Sequence, residues 1–98
     1  MVVVQETLNL SADIVDNVAY SLRHSNGNTF DEVRQRLEYD KDTVFKSLYL
    51  LNSVGLVQIR GGNKDLYRLT PNGDELYSEK YDNGGIDIWL KRNQEARQ

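Results

Sequence analysis

The chain has no cysteine, and only one proline, one histidine, one methionine and one tryptophan among its 98 residues. Without cysteine there are no disulfides and no thiolate metal sites, which suits a reducing compartment. His24 alone cannot build a metal set. No nucleophile stands beside a base, so enzyme activity is not expected, and neither is a cofactor. Long apolar runs are missing too, and nothing approaches the roughly 18 residues of a membrane span. Met1-Val2-Val3-Val4 is too short for a signal segment and lacks a basic flank. These absences lead to the expectation of a cytoplasmic protein with no membrane attachment. No repeat, low-complexity tract or proline-rich linker divides the chain.

Hydrophobic residues make up 39% and charged residues 28%, the balance of one small folded domain rather than of a disordered segment. The net charge is −3, which argues against holding a polyanion through bulk charge. The distribution is uneven. Between residues 20 and 70 eight basic side chains (Arg23, Arg34, Arg36, Lys41, Lys46, Arg60, Lys64, Arg68) face six acidic ones (Asp31, Glu32, Glu38, Asp40, Asp42, Asp65), a local balance of +2. The acidity lies in the two ends.

Residues 1–9 suit a strand or an extended arm. Ser11 is placed to cap a helix in which Ile14, Val15, Val18, Ala19 and Leu22 recur at helical spacing, with Asp13 and Asp16 near the positive end of its dipole. Asn26-Gly27-Asn28 stops it. Thr29-Phe30-Asp31-Glu32 has the form of a capping box, opening a short helix that buries Phe30, Val33 and Leu37. After the turn at Tyr39-Asp40-Lys41, Asp40 or Asp42 can cap a third helix with the inward stripe Val44, Leu48 and Leu51. Gly55 ends it. Leu56 to Arg60 and Leu66 to Leu69 then read as two strands around a glycine-rich turn, with Val57, Ile59, Tyr67 and Leu69 on one face and Gln58, Arg60 and Arg68 on the other. Thr70-Pro71 starts a helix through Leu76 and Tyr77, and Asp82-Asn83-Gly84-Gly85 breaks it. In the last segment Ile86, Trp89 and Leu90 favour a closing helix over a strand.

Helix, helix, helix, two-stranded ribbon, helix is a distinctive order. Together with Thr43-Val44, Leu48, Leu51, Gly55-Leu56-Val57, then Tyr67-Arg68-Leu69-Thr70 and Gly73, it resembles the winged helix-turn-helix regulators of the MarR, ArsR and PadR type. The implied fold is α+β and mostly helical, with the winged domain over residues 10–80 and a terminal segment over 81–98. The resemblance implies sequence-specific binding of double-stranded DNA and control of transcription by site occupancy. The third helix would enter the major groove and the wing would reach the neighbouring backbone. Thr43, Lys46 and Ser47 would then face bases, with Tyr49 and Leu50 on the same helix; Arg60, Asn63, Lys64 and Arg68 would contact DNA from the wing; Arg34, Arg36 and Lys41 would clamp the flanking backbone. Ile86, Trp89 and Leu90 would either join two copies into a homodimer or cover the chain's own core.

One feature departs from such regulators. The outer side of the third helix shows Asp42, Lys46, Tyr49, Leu50 and Ser53, fewer donors than a base-reading face usually carries, and Phe45 stands where a small hydroxyl residue is common. Phe45 and Leu50 would touch thymine methyls, or Phe45, Tyr49 and Leu50 would form a surface for a protein partner. The second reading makes the chain a protein–protein interaction module.

Several residues have plainer uses. His24 suits a helix C-terminus, Asp40 and Asp42 a helix start, and Gly61-Gly62 a hairpin turn, since no helix or Gly-Lys-Ser/Thr follows them. Tyr20, Tyr67 and Tyr77 fit the edge of a core, while Tyr39, Tyr49 and Tyr81 are uncommitted. Arg60, Lys64 and Arg68 would look the same on any solvated hairpin.

Overall fold

The structure is a computed structural model that describes residues 11–23, 27–62, 64–78 and 85–96, with side chains in the last stretch described up to Arg92. The expected arm at 1–9, His24, Asn63, Tyr81 and the break at Asp82-Asn83-Gly84 lie outside the described residues. The elements run α1 (Ala12–Tyr20), α2 (Phe30–Arg36), α3 (Lys41–Ser53), β1 (Val57–Arg60), β2 (Leu66–Leu69), α4 (Pro71–Leu76) and α5 (Gly85–Ala96). This is a winged helix.

Each of the first four helices starts on a side chain that satisfies an orphan amide. Ser11 Oγ accepts from Ile14 N–H at 3.3 Å, Asp40 Oδ1 from Thr43 N–H at 2.8 Å, and Thr70 Oγ1 from Gly73 N–H at 3.1 Å. At α2 the box is reciprocal: Thr29 Oγ1 accepts from Glu32 N–H at 3.2 Å, and Glu32 Oε1 accepts from Thr29 N–H at 2.8 Å. Caps of this kind are worth about 1 kcal/mol each. The short α2 and α4 have little else to fix their first turns.

Val15, Val18, Ala19 and Leu22 of α1 and its end, Val33 of α2, and Val44, Leu48 and Leu51 of α3 form one buried cluster. It continues into Leu56, Val57, Tyr67, Leu69, Leu76, Tyr77 and Ile86. Helix α1 packs on both α3 and α5. The ribbon has the expected antiparallel register, Val57 opposite Leu69 and Ile59 opposite Tyr67, so alternate residues turn inward. Ile59 is nevertheless exposed, because it lies toward the tip of the wing and beyond the core.

Two features were not foreseen. Asn28 pairs with Tyr67 of β2, each amide donating to the other's carbonyl at 3.0 and 2.8 Å, so the α1–α2 connection closes onto the wing. Helix α4 is set against the end of α3: Thr70 Oγ1 donates to the Gly55 carbonyl at 2.7 Å, and Thr70 N–H to the Leu56 carbonyl at 3.0 Å. A Cβ on Gly73 would collide with that Leu56 carbonyl oxygen, a backbone obstacle that no rotamer change relieves. The glycine that closes the Tyr-x-Leu-Thr-x-x-Gly pattern thus permits a close backbone approach.

Two expectations change. Asp16, read as a partner of the helix dipole, is buried and joins three elements: its Oδ1 accepts from the Tyr77 hydroxyl at 2.8 Å and from Ile86 N–H at 2.8 Å. Ile86, offered to a second subunit on one of two readings, lies in this chain's own core because that amide anchors the start of α5 over α1. Trp89 and Leu90 pack on the same core, and the Trp89 indole donates to the Val54 carbonyl at 2.9 Å.

Candidate nucleic-acid interface

Helix α3 is fixed by its inner stripe, which leaves its outer residues pointing away from the core. Phe45 is 55% and Tyr49 61% exposed, and Lys41 and Asp42 are exposed in the first turn. Thr43 and Lys46 are half-buried. Ser47 corrects the sequence reading: it is fully buried, and its hydroxyl donates to the Thr43 carbonyl at 2.8 Å. Its position, three residues after Val44 and four before Leu51, places it on the inner stripe, where a hydroxyl is tolerated by bonding back to the preceding turn. Leu50 is half-buried against the core rather than free.

Lys46 is not an open cation. Its Nζ lies 3.0 Å from Asp42 Oδ2 in an i, i+4 pair whose side chains remain 40% and 71% exposed, a pair that solvent and salt weaken. Lys46 and Arg34 both act on Asp40 through their charge, at the end where α2 packs on α3. Asp40 itself titrates below its ordinary range, held first by the side chain and then by the amide of Thr43. Arg36 and Lys64 share the field of Glu32, whose carboxyl is also held low, chiefly by the Thr29 amide. Arg36 Nη1 additionally donates to the Ser21 carbonyl at 2.8 Å, so part of this side chain ties α2 to the end of α1.

Between α2, the start of α3 and the wing lies a hollow of about 510 Å³ lined by Phe30, Lys41, Asp42, Phe45 and Tyr67. A second hollow of about 370 Å³ shares Phe30 and Tyr67 and extends to Thr29, Asp31, Lys64 and Asp65. The Phe30 and Phe45 rings meet edge to face, 6.5 Å between centroids at 65°. Lys41 lines the first hollow and Lys64 the second, with Asp42 beside the one and Asp31 and Asp65 beside the other. Arg60 and Arg68 belong to the opposite face of the ribbon from Tyr67, diagonal to one another across the Gln58–Arg68 and Arg60–Leu66 pairs. The wing thus presents cations on two sides, not one.

The sequence reading buried Phe30 in the core and set Tyr67 at its edge; both also line the hollows. Phe30 holds the first position of α2, where one flank of a side chain looks past the helix end, and that position is the signal that would have placed it at the surface. Among the described residues no group of three or more acids or histidines is arranged to hold a metal ion, and no helix is long and apolar enough to cross a membrane.

No protein-family profile matches the chain, and no curated protein matches it in sequence. Solved structures do match in shape. Wild-type apo MarR from E. coli superposes with a TM-score of 0.64 at 20% identity, over 94% of this chain and 70% of that one. A cysteine-to-serine mutant of E. coli MarR complexed with operator DNA gives 0.63 at 22% identity, over 91% and 68%. MepR, a transcription regulator of the Staphylococcus aureus multidrug efflux pump MepA, gives 0.59 at 18%, over 93% and 66%. The winged-helix fold expected from the motif order is the fold these regulators share.

Proposed function

We propose that this protein binds double-stranded DNA sequence-specifically and regulates transcription by occupying its site rather than by chemistry. The observation that carries the reading is the setting of α3. Its inner stripe is locked in the core, Lys41, Phe45 and Tyr49 on its outer side are exposed, and Arg34, Lys41, Lys46 and Lys64 stand around its first turns and the neighbouring hollow, interleaved with Asp31, Asp42 and Asp65. In a winged helix that helix is the one shaped to enter the major groove. A solved neighbour of the same fold holds operator DNA, which favours the same use here. Lys46 and Thr43 would meet base edges; Arg34, Arg36, Lys41, Lys64, Arg60 and Arg68 would meet phosphates, which supply most of the affinity. Two copies paired through the outer side of α5, where Ile88 is 36% exposed beside half-buried Trp89 and Leu90, would offer two reading helices to a two-fold site.

The test is anisotropy of a fluorescent duplex of random sequence titrated at several salt concentrations, with sedimentation to give the mass. Affinity should fall as salt rises, and the K46A/R60A double variant should bind more weakly with a shallower salt slope. Absence of binding at about 50 mM salt, or binding indifferent to salt, refutes the proposal.

A further inference from the structure

The hydrogen-bonding side chains of α3 are largely committed to the protein itself. Ser47 and Ser53 donate to the carbonyls of Thr43 and Leu50, Asn52 donates to the Val57 carbonyl at 2.9 Å, and Lys46 is paired with Asp42. What stands clear on the outer side is aromatic: Phe45, one turn into the helix, and Tyr49, one turn further on the same side. Phe45 is not covered by the wing. It forms the outer wall of the hollow with Phe30 and Tyr67, and Lys41 stands at the rim.

Resting on the DNA-binding reading above, we infer that Phe45 is a specificity-determining residue that reads the 5-methyl group of pyrimidines in the major groove. The reasoning is one of elimination by chemistry. Base edges in that groove offer donors and acceptors everywhere, and their one apolar group is the thymine methyl. An exposed phenyl ring pressed against any other edge would strip water from polar atoms and give nothing back. Against a methyl group it removes apolar surface from water on both partners. Lys41 and Lys64 line the hollows together with Asp31, Asp42 and Asp65, so the choice of DNA as the partner of this ring comes from the reading above and not from the charge of the hollow. The preferred site therefore contains thymine at one or two positions of each half, and 5-methylcytosine is its natural substitute there.

Selection from a library of random 20-base-pair duplexes first yields a best-bound duplex, which is resynthesised with uracil for thymine at one position at a time. Uracil keeps every hydrogen-bonding group and removes only the methyl. Affinity of the unaltered protein should drop about fourfold for each methyl that Phe45 covers, the value of one buried methyl-sized group. Phe45→Ala should bind the thymine and uracil duplexes equally while keeping the salt slope, and 5-methylcytosine should bind more tightly than cytosine at the sensitive position only in the unaltered protein. Phe45 packs at the surface, so the variant is expected to fold, and its circular dichroism melt verifies that. The uracil series needs no variant at all. Salt-dependent binding without loss at any uracil overturns the inference alone, and assigns the aromatic surface to a protein partner instead. Failure to bind or enrich any duplex overturns the DNA-binding reading and this inference with it.

Discussion

Replacing Asp16 is the most informative change to the scaffold, because one carboxylate oxygen joins the first helix to the end of the fourth and the start of the fifth. Asp16→Ala removes the bonds from the Tyr77 hydroxyl and the Ile86 amide, both 2.8 Å long and both made by residues with no exposed surface. Hydrogen bonds to a charged acceptor are worth about 1.5–3 kcal/mol each, and the loss is reduced because the variant no longer buries a carboxylate. A net destabilisation of about 2–4 kcal/mol follows, which for a domain of this size lowers the melting temperature by more than roughly 8 °C. Asp16→Asn keeps a carbonyl oxygen at the Oδ1 position and should lose less than about 1 kcal/mol. Urea unfolding followed by the fluorescence of Trp89, the single tryptophan, measures both variants. If the alanine variant stays within about 1 kcal/mol of the parent, or asparagine is as damaging as alanine, the bridging role is refuted.

The same residue gives a signed pH effect. Burial pushes the Asp16 carboxyl above its ordinary value of 3.8, against the pull of the Ile86 amide and the Tyr77 hydroxyl, with Asp87 and Asp13 adding to the rise. The folded chain therefore holds this proton at pH values where the unfolded chain has released it. The contribution of Asp16 is most favourable below the unfolded value and falls as pH climbs through the raised one. Asp16→Asn removes that slope. Its stability relative to the parent should improve steadily across the window just above pH 3.8.

Three other perturbations have defined outcomes. Gly85→Ala should cost more than Gly55→Ala in the same unfolding assay: both glycines have positive φ, 66° and 84°, but a Cβ at Gly85 meets the Asp16 carboxylate whereas none of the surroundings lies within 4 Å of one at Gly55. The second should lose only about 1–2 kcal/mol of conformational preference. Glu32 and Asp40 titrate below their ordinary values, so their help to the fold is present above the unfolded values and lost as pH falls through the folded ones, the reverse of Asp16; Glu32→Gln should flatten the acid limb of a melting-temperature profile. Asp42→Asn frees Lys46 from its 3.0 Å partner and removes a negative charge from the proposed groove side, so duplex affinity should rise about three- to tenfold at low salt with a steeper salt slope. Unchanged affinity would place Lys46 outside the contact with DNA.

The sequence announced its caps because each depends on residues within three or four positions of each other, and its ribbon because the pairs Arg60–Leu66 to Val57–Leu69 are close neighbours in the chain, joined by a glycine-rich turn. Thr29 with Glu32, Asp40 before α3, and Thr70-Pro71 carry their chemistry locally, and the structure makes every one of those bonds. Ser47 was misplaced because its polarity was read ahead of its position; the spacing Val44, Ser47, Leu48, Leu51 marks it as inward. Asp16 was missed for the same reason, since Ala12, Asp16 and Ala19 follow one face of α1. The Asn28–Tyr67 pairing spans 39 residues, and no local pattern reports a contact between segments so far apart. The ion pair of Lys46 with Asp42 was available from the i, i+4 spacing, but its effect on the interface depends on which rotamers the helix surface allows.

The acidity of the chain is less of an obstacle to polyanion binding than its total suggests. Asp16 is enclosed, Glu32 and Asp40 are turned onto the amides of α2 and α3, and Asp42 is opposed by Lys46. A carboxylate seated on a helix N-terminus faces the positive end of the backbone dipole, so much of its field is spent within the first turn. Glu32, Asp40 and Asp42 at the starts of α2 and α3 are thus compensated by the fold, whereas Asp31, Glu38 and Asp65 remain exposed, as do Lys41 in the first turn of α3, Lys64 in the wing and Arg60 at the end of β1. Net charge counts all of these alike; a phosphate approaching at a few ångströms does not, because screening limits its view to about one Debye length, roughly 8 Å at physiological salt. For the proposed function, the field that matters is that of the exposed side chains around α3. There the same helix starts that stabilise the fold also occupy Glu32 and Asp40, which leaves Asp31 and Asp65 beside Lys64 as the carboxylates that oppose a phosphate.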